Sequence, residues 1–361
     1  LLFNEEDLTQ NILVPAPTDY NKNILYNVYD VTEKIKKNNI IAIILGNGRY
    51  YTMRQNYKPY KIKNFGYPKL LFQLEITYSN GNKQYIVSDT DWKLFADGPI
   101  RSNNEYDGEI YDARKEIANW YKYNFDDSKW FNAEYVSNPD GILMSQMNEP
   151  VGVFDTLKPV FIIKGNKGYL IDFGQNIAGW IKIKLKGNKR GDTVKLRFAE
   201  IIDSSKNLIT ANLRDALATD IYICKGDTIE VWNPTFVYHG FRFVEITGLK
   251  GKPEIDDIEA NVVADKLNIT GSFETSNELI NKIYNNAFWS ILSNYKGIPV
   301  DCPQRNERQP WLGDRAMVSI GENYIFDNNK FYVKWLDDIM FSQNYYGSIP
   351  DVAPAFWRYY T

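Results

Sequence analysis

Trp180-Ile181-Lys182-Ile183-Lys184-Leu185 and then Thr193-Val194-Lys195-Leu196-Arg197-Phe198 alternate apolar and polar residues at period two. Successive side chains of a strand point to opposite faces, so this pattern puts one face on a core and the other in water, and a β-sandwich is the economical architecture. Outward from these strands the β pattern holds from about 143 to 266. Upstream, from 1 to about 142, short runs such as Ile40-Ile41-Ala42-Ile43-Ile44-Leu45 and Leu70-Leu71-Phe72-Gln73-Leu74-Glu75-Ile76 are cut by turn signals at Gly46-Asn47-Gly48 and Ser79-Asn80-Gly81-Asn82. Residues 70–88 read as a hairpin closed by an Asn-Gly turn, and Asp30-Val31-Thr32-Glu33-Lys34-Ile35 predicts one helical turn capped by Asp30 or Thr32. The expectation is two tandem β-sandwich domains, 1–142 and 143–266.

Near residue 275 the period changes to about 3.6. Thr275-Ser276-Asn277-Glu278 matches a capping box, and Leu279, Ile280, Ile283, Tyr284, Ala287, Ile291 and Leu292 recur at helical spacing until Gly297. Two more helices are predicted, one around Ala316 to Tyr324 and one with Phe331, Trp335 and Ile339 on a single stripe. An α-domain therefore spans 267–361, with more apolar stripe than three helices can cover. The chain also lacks an initiator Met and stops at Arg358-Tyr359-Tyr360-Thr361, directly after an aromatic run. The expectation is a piece of a longer protein, which alone would fold its β-domains, leave the Phe331 stripe facing solvent and be without activity.

Of the 361 residues 44% are hydrophobic and 24% charged, the balance of a folded globular protein of two or three domains. Basic and acidic residues number 42 and 45, a net charge of −3, which removes the electrostatic footprint needed to hold nucleic acid or an anionic membrane. No apolar run approaches the ~20 residues of a membrane span, and Leu1-Leu2-Phe3-Asn4-Glu5-Glu6-Asp7 carries no targeting signal. Cys224 and Cys302 form no C-x-x-C pair, and a single histidine argues against any site that needs two. The 26 Tyr and 9 Trp suit sheet faces and also sugar stacking.

The densest chemistry lies between the predicted helices: Asp301-Cys302-Pro303-Gln304-Arg305-Asn306-Glu307-Arg308-Gln309-Pro310-Trp311-Leu312-Gly313-Asp314. Carboxylates and guanidiniums make charge-assisted bonds to sugar hydroxyls, and an indole covers an apolar sugar face. A carboxyl in a partly apolar pocket can serve as a general acid. On residues alone, a sugar site and a solvated salt-bridge loop both remain open.

This loop resembles the signature of bacterial α-L-rhamnosidases of glycoside hydrolase family 78, D-C-P-Q-R-D-E-R-x-x-W-x-G-D. Further segments are similar to the family in the family's order. Pro17-Thr18-Asp19-Tyr20-Asn21-Lys22 through Tyr29-Asp30-Val31-Thr32, Leu45-Gly46-Asn47-Gly48-Arg49-Tyr50 and Asp107-Gly108-Glu109-Ile110-Tyr111-Asp112-Ala113-Arg114 resemble its N-terminal β-domain. Asp172-Phe173-Gly174-Gln175-Asn176-Ile177-Ala178-Gly179-Trp180 and Tyr238-His239-Gly240-Phe241-Arg242 resemble the β-domain before its barrel. The resemblance implies the opening helices of an (α/α)6 barrel and inverting hydrolysis of terminal non-reducing α-L-rhamnosides, with no required cofactor, in the cytoplasm or periplasm of a bacterium. It implies Glu307 as general acid, Asp301, Arg305, Trp311 and Asp314 as the residues that hold rhamnose, and a base beyond residue 361. Asn306 stands where the family usually has Asp, and Gln309-Pro310 replace a common Leu-Gly pair. The rival readings are a non-catalytic carbohydrate-binding protein and a barrel glycosidase for another deoxy-sugar.

Remaining candidates carry less. His239 in an aromatic strand reads as structural, Gly46-Asn47-Gly48 as a plain turn and Cys302 as a small packed residue. Asp107, Glu109 and Asp112 form a candidate calcium cluster of hard oxygen ligands. Were the base within this chain, Asp351 would be the first choice.

Overall fold

The computed structural model describes residues 1–52 and 64–356, so the terminal Arg358-Tyr359-Tyr360-Thr361 lies outside the described residues. One ten-stranded sheet organises them. Its strands are β1 (Ile100–Asn104), β2 (Gly108–Asp112), β3 (Val151–Leu157), β4 (Phe161–Lys164), β5 (Tyr169–Lys186), β6 (Thr193–Ala199), β7 (Thr219–Ile223), β8 (Ile229–Trp232), β9 (His239–Thr247) and β10 (Ile258–Asp265). The order across the sheet is β3-β10-β5-β9-β6-β7-β2-β1, with β4 and β8 both paired to β5. The β2–β7 pairing is parallel, so the sheet takes strands from both sides of residue 142.

The alternation that suggested strands is visible in burial. Ile181, Ile183 and Leu185 are inside while Lys182, Lys184 and Lys186 are exposed, and Val194, Leu196 and Phe198 of β6 are likewise buried. β5 is too long for one pair of neighbours. Its first residues pair with β4 and β9, and after an interruption between Asp172 and Ile177 it rejoins β9 over residues 177–179 and runs on with β10 and β8. Gly174, at φ 75°, sits in that interruption, where a side chain would be strained.

The N-terminal part is β-rich in shorter pieces. Gln73–Thr77 and Lys83–Val87 form the expected hairpin, with Gly81 at φ 84° in its turn. The helical turn is present at Thr32–Lys34, but its N-cap is Val31, not Asp30 or Thr32, and carries no side-chain cap bond; Asp30 Oδ1 accepts from Thr32 N at 2.9 Å from one position further out. The strand read at 40–45 shrinks to Ile41–Ala42.

Three helices follow: α1 (Glu278–Ser293), α2 (Leu312–Glu322) and α3 (Asn329–Phe341). The cap of α1 is Asn277, whose side chain accepts from Leu279 N, and not the Thr275 box. The Thr275 hydroxyl is already bonded to Asn277 and Asn281, which moves the cap two residues along. α2 begins before the expected Ala316. The stripe on α3 also differs from expectation: Phe331 and Trp335 are buried, Phe331 edge-on to Tyr295 at 4.6 Å and Trp335 Nε1 donating to Ala353 O at 2.6 Å. The apolar residues that face outward are instead Met317 and Ile320 of α2 and Leu336 and Met340 of α3.

The helices share the sheet's core. Ile171, Ile181, Phe198 and Phe241 belong to one cluster with Leu292, Tyr295, Phe326 and Phe331, and α1 packs on β5 and β10. This packing lays the loop between α1 and α2 against the start of β9. There a Cβ on Gly240 would lie 2.7 Å from Gln304 Cβ and 3.0 Å from Gln304 N. Gly240→Ala is therefore expected to push the loop off the sheet and lower stability by roughly 1–3 kcal/mol, the usual cost of overpacking. An unchanged thermal midpoint would show that the loop yields freely.

Candidate functional site

The loop 301–311 is closed at its neck by its own backbone. Asp301 N donates to Gln309 O at 2.9 Å, and Gln309 N donates to Asp301 Oδ1 at 2.6 Å. Its centre is Arg308, fully buried and at φ 51°. That side chain donates to Tyr238 O at 3.0 Å, Arg305 O at 3.1 Å and Gln304 O at 3.4 Å, with its guanidinium 4.7 Å from the Tyr238 ring centre. The Arg308 carbonyl accepts from Arg49 Nη2 at 2.6 Å, and Arg49 is itself paired with buried Glu105 at 3.0 Å. The Gly46-Asn47-Gly48 turn thus delivers an arginine that pins the loop from the N-terminal part.

So anchored, the loop gathers four of the five expected residues. Arg305 lies between two carboxylates: Nη2 donates to Asp301 Oδ2 and Nε to Glu307 Oε2, both at 2.9 Å. Trp311 Nε1 donates to the other Glu307 oxygen at 3.1 Å. Asp314 is not drawn in. It sits exposed in the first turn of α2, where free N–H groups favour an acidic side chain, and no hydrogen bond among the described residues joins it to the cluster.

The sequence reading missed the rest of the shell. Arg214 Nη1, from the turn after Ala211–Leu213, donates to Glu307 Oε2 at 2.8 Å, and Asn306 Nδ2 donates to Asp215 at 3.3 Å. Tyr106 hydroxyl and Gln309 Nε2 hold the Glu307 carbonyl at 3.2 and 2.7 Å. No local signal marks Arg214 or Tyr106, because each comes from a distant strand connection.

The two carboxyls are pushed apart. Burial alone raises Glu307, but the ion pairs with Arg305 and then Arg214 outweigh it and hold this carboxyl below its ordinary value. Asp301 is raised, chiefly by burial, against the opposing bonds from Cys302 and Gln309. Asp301, Cys302 and Glu307 place ligand atoms within 4.8 Å of one another. Arg305 between the carboxylates already supplies the positive charge that a cation would bring there. Burial pushes the Cys302 thiol up, in keeping with a packed residue whose Sγ accepts from Arg308 N.

The candidate calcium residues are not brought together. Glu109 accepts from Thr235 N and Phe236 N, with burial pushing its carboxyl up to about 8, while Asp112 is taken by Arg114 at 2.8 Å. His239 is wholly buried, bonded to Asp220 at 3.0 Å and stacked on Phe198. Asp351 is exposed, on the segment that runs beside Trp311.

Comparison with known proteins first places the chain among glycoside hydrolase proteins built from β-domains and a glycosidase domain. Residues 1–155 match the α-L-rhamnosidase N-terminal domain, 163–264 the bacterial α-L-rhamnosidase concanavalin-like domain and 268–361 the bacterial α-L-rhamnosidase 6 hairpin glycosidase domain. The chain belongs to the bacterial α-L-rhamnosidase family. It is 43% identical to a solved α-L-rhamnosidase from Dictyoglumus thermophilum, with a TM-score of 0.93 over 99% of this chain and 40% of that one. The Streptomyces avermitilis α-L-rhamnosidase solved in complex with L-rhamnose is 34% identical, with a TM-score of 0.88 over 98% of this chain and 34% of that one. A curated α-L-rhamnosidase of Formosa agariphila is 37% identical over 93% of this chain and 36% of its own length. The chain thus spans about a third of the length of the curated relatives it matches. Among the described residues no helix is long and apolar enough to cross a membrane.

Proposed function

We propose that this chain carries the acid half of the active site of an inverting α-L-rhamnosidase, acting on terminal non-reducing rhamnose of a glycoside or oligosaccharide. The observation behind this reading is the Glu307 carboxylate held by Arg305, Arg214 and Trp311 beside Asp301. Glu307 protonates the glycosidic oxygen as the bond breaks. Asp301 and Arg305 bind ring hydroxyls, Trp311 covers an apolar face of the ring, and Asp314 contributes from the start of α2. Two guanidiniums hold the Glu307 carboxyl below its ordinary value and so favour its ionised form. A sugar that expels water and engages the Arg305 N–H groups strengthens burial and weakens the ion pair, and both changes favour the proton that catalysis needs.

Inversion needs a second carboxyl about 6.5–9.5 Å from the acid, with a water between. Asp301 is within 4.8 Å of Glu307 and bridged to it by Arg305, too close for that role. The family resemblance implies a base outside these residues, in an (α/α)6 barrel of which α1–α3 are the opening helices behind two β-domains. Met317, Ile320, Leu336 and Met340 are exposed apolar residues that further helices of such a barrel would cover. Proton donor, water and base suffice, without a cofactor.

The test is hydrolysis of an aryl α-L-rhamnoside by the full-length protein, with the first-formed anomer read by NMR. β-L-Rhamnose as first product supports the proposal, α-L-rhamnose overturns inversion, and preference for another aryl deoxy-glycoside overturns the substrate. Asp301→Ala or Arg305→Ala is expected to weaken rhamnose binding by roughly 1–3 kcal/mol, the cost of leaving a site polar group unpaired. Unchanged calorimetric affinity in both variants would return the loop to a salt-bridge role.

A further inference from the structure

Glu307 Oε2 accepts from two guanidiniums of different origin. Arg305 belongs to the same loop, whereas Arg214 arrives from the β-domain, from the turn between β6 and β7. That turn is unusual in its backbone: Arg214 adopts φ 56°, ψ −120°, and Ala218 φ 42°. Non-glycine residues in this region carry strain that surrounding contacts must offset, and such strain clusters at functional sites. The contact that Arg214 gains there is the Glu307 carboxylate at 2.8 Å. The next residue, Asp215, accepts from Asn306, so consecutive residues of the turn engage consecutive residues of the loop and dock in a single register. An aspartate at 306 would face Asp215 with a like charge.

We propose that Arg214 is a positioning residue for the acid: a guanidinium lent by the β-domain that fixes the Glu307 carboxyl and sets the pH at which it gives up its proton. The inference rests on the proposed role of Glu307. The other groups facing that residue are Asp301, Cys302 and Arg305 of its own loop, Trp311 Nε1, the Tyr106 hydroxyl on its carbonyl, and Asp215 one position along. Of the two cations on Oε2, Arg305 also serves Asp301, while the Arg214 side chain is 55% exposed. Removal of the Arg214 guanidinium therefore takes away positive charge beside Glu307 with little loss of packing.

The sign follows directly. A general acid works while protonated, so activity falls as pH rises through its pKa, and a neighbouring cation pulls that fall to lower pH. In the full-length protein Arg214→Met is expected to move the high-pH limb of kcat/KM upward by about 0.5–1 in pH, at the modest end of what an adjacent opposite charge does. Arg214→Lys returns it most of the way. Arg214→Gln, which retains N–H donors without charge, moves the limb as Met does and stands in if the Met variant does not fold. A role confined to docking would lower the melting temperature without moving the limb. Glu307→Gln measured alongside separates the two ideas. Wild-type turnover of a natural rhamnoside in Glu307→Gln overturns the acid assignment itself. Lost turnover there, with an unmoved limb in the Arg214 variants, overturns the Arg214 proposal alone.

Discussion

Glu307→Gln in the full-length protein is expected to reduce turnover of rhamnosides with poor leaving groups by about 10²–10⁴-fold, the usual contribution of a general acid. The affinity for free rhamnose should stay within a few-fold of wild type. The amide matches the carboxyl in shape, and its oxygen can still accept from Arg305 and Arg214. Its NH2 must then face Trp311 Nε1, which is also a donor, so one contact at 3.1 Å is lost and the charge is gone. Activated aryl leaving groups depend less on protonation and should show a smaller loss. The pH profiles carry a second consequence. Because kcat/KM reports the free enzyme and kcat the bound complex, the limb on which Glu307 loses its proton should lie at lower pH in kcat/KM. Equal limbs would mean that the sugar does not relieve the hold of the guanidiniums, and wild-type turnover by the variant would remove Glu307 from the reaction.

Arg308→Met should have the largest effect on stability. The side chain is wholly buried and makes bonds to three backbone carbonyls, those of Tyr238, Arg305 and Gln304, while lying over the Tyr238 ring. Hydrogen bonds from a charged donor are worth about 1.5–3 kcal/mol each, and methionine recovers part of that by removing a buried charge, leaving a net loss of roughly 2–4 kcal/mol. The loss falls where the loop meets the sheet, so Glu307 should lose its geometry along with the melting temperature. Denaturant titration together with activity below the transition tests this. A destabilised but fully active variant would show that the remaining contacts, Arg49 on the residue-308 carbonyl among them, fix the loop without this side chain.

Much of this could be read along the chain. Period-two alternation at 180–185 and 193–198 marked strands whose burial alternates as expected, and the change of period near 275 marked α1. The clustering in loop 301–314 was legible because Asp301, Arg305, Glu307 and Trp311 lie within a few residues and a short loop cannot keep them far apart. Local readings failed where two local partners competed, as at Thr275, whose hydroxyl turned to Asn281 and left the cap to Asn277. They failed also on the α3 stripe. Its Phe331 and Trp335 found Tyr295 and Ala353, partners on other segments that helical periodicity cannot name.

What the sequence alone determined is the type of each long element, the position of the dense polar loop 301–314 and the residue types in it, since hydrophobic period and turn chemistry are properties of neighbours in the chain. The tertiary structure decided which β-domain groups reach that loop. Arg214 meets Glu307 across 93 positions and Arg49 meets Arg308 across 259, and both meetings follow from strand order and the docking of α1 on β5 and β10. The charge state of Glu307 is set at that level as well. A carboxyl's proton affinity depends on which cations lie within a few ångströms and how much water is excluded, and neither is a property of sequence spacing.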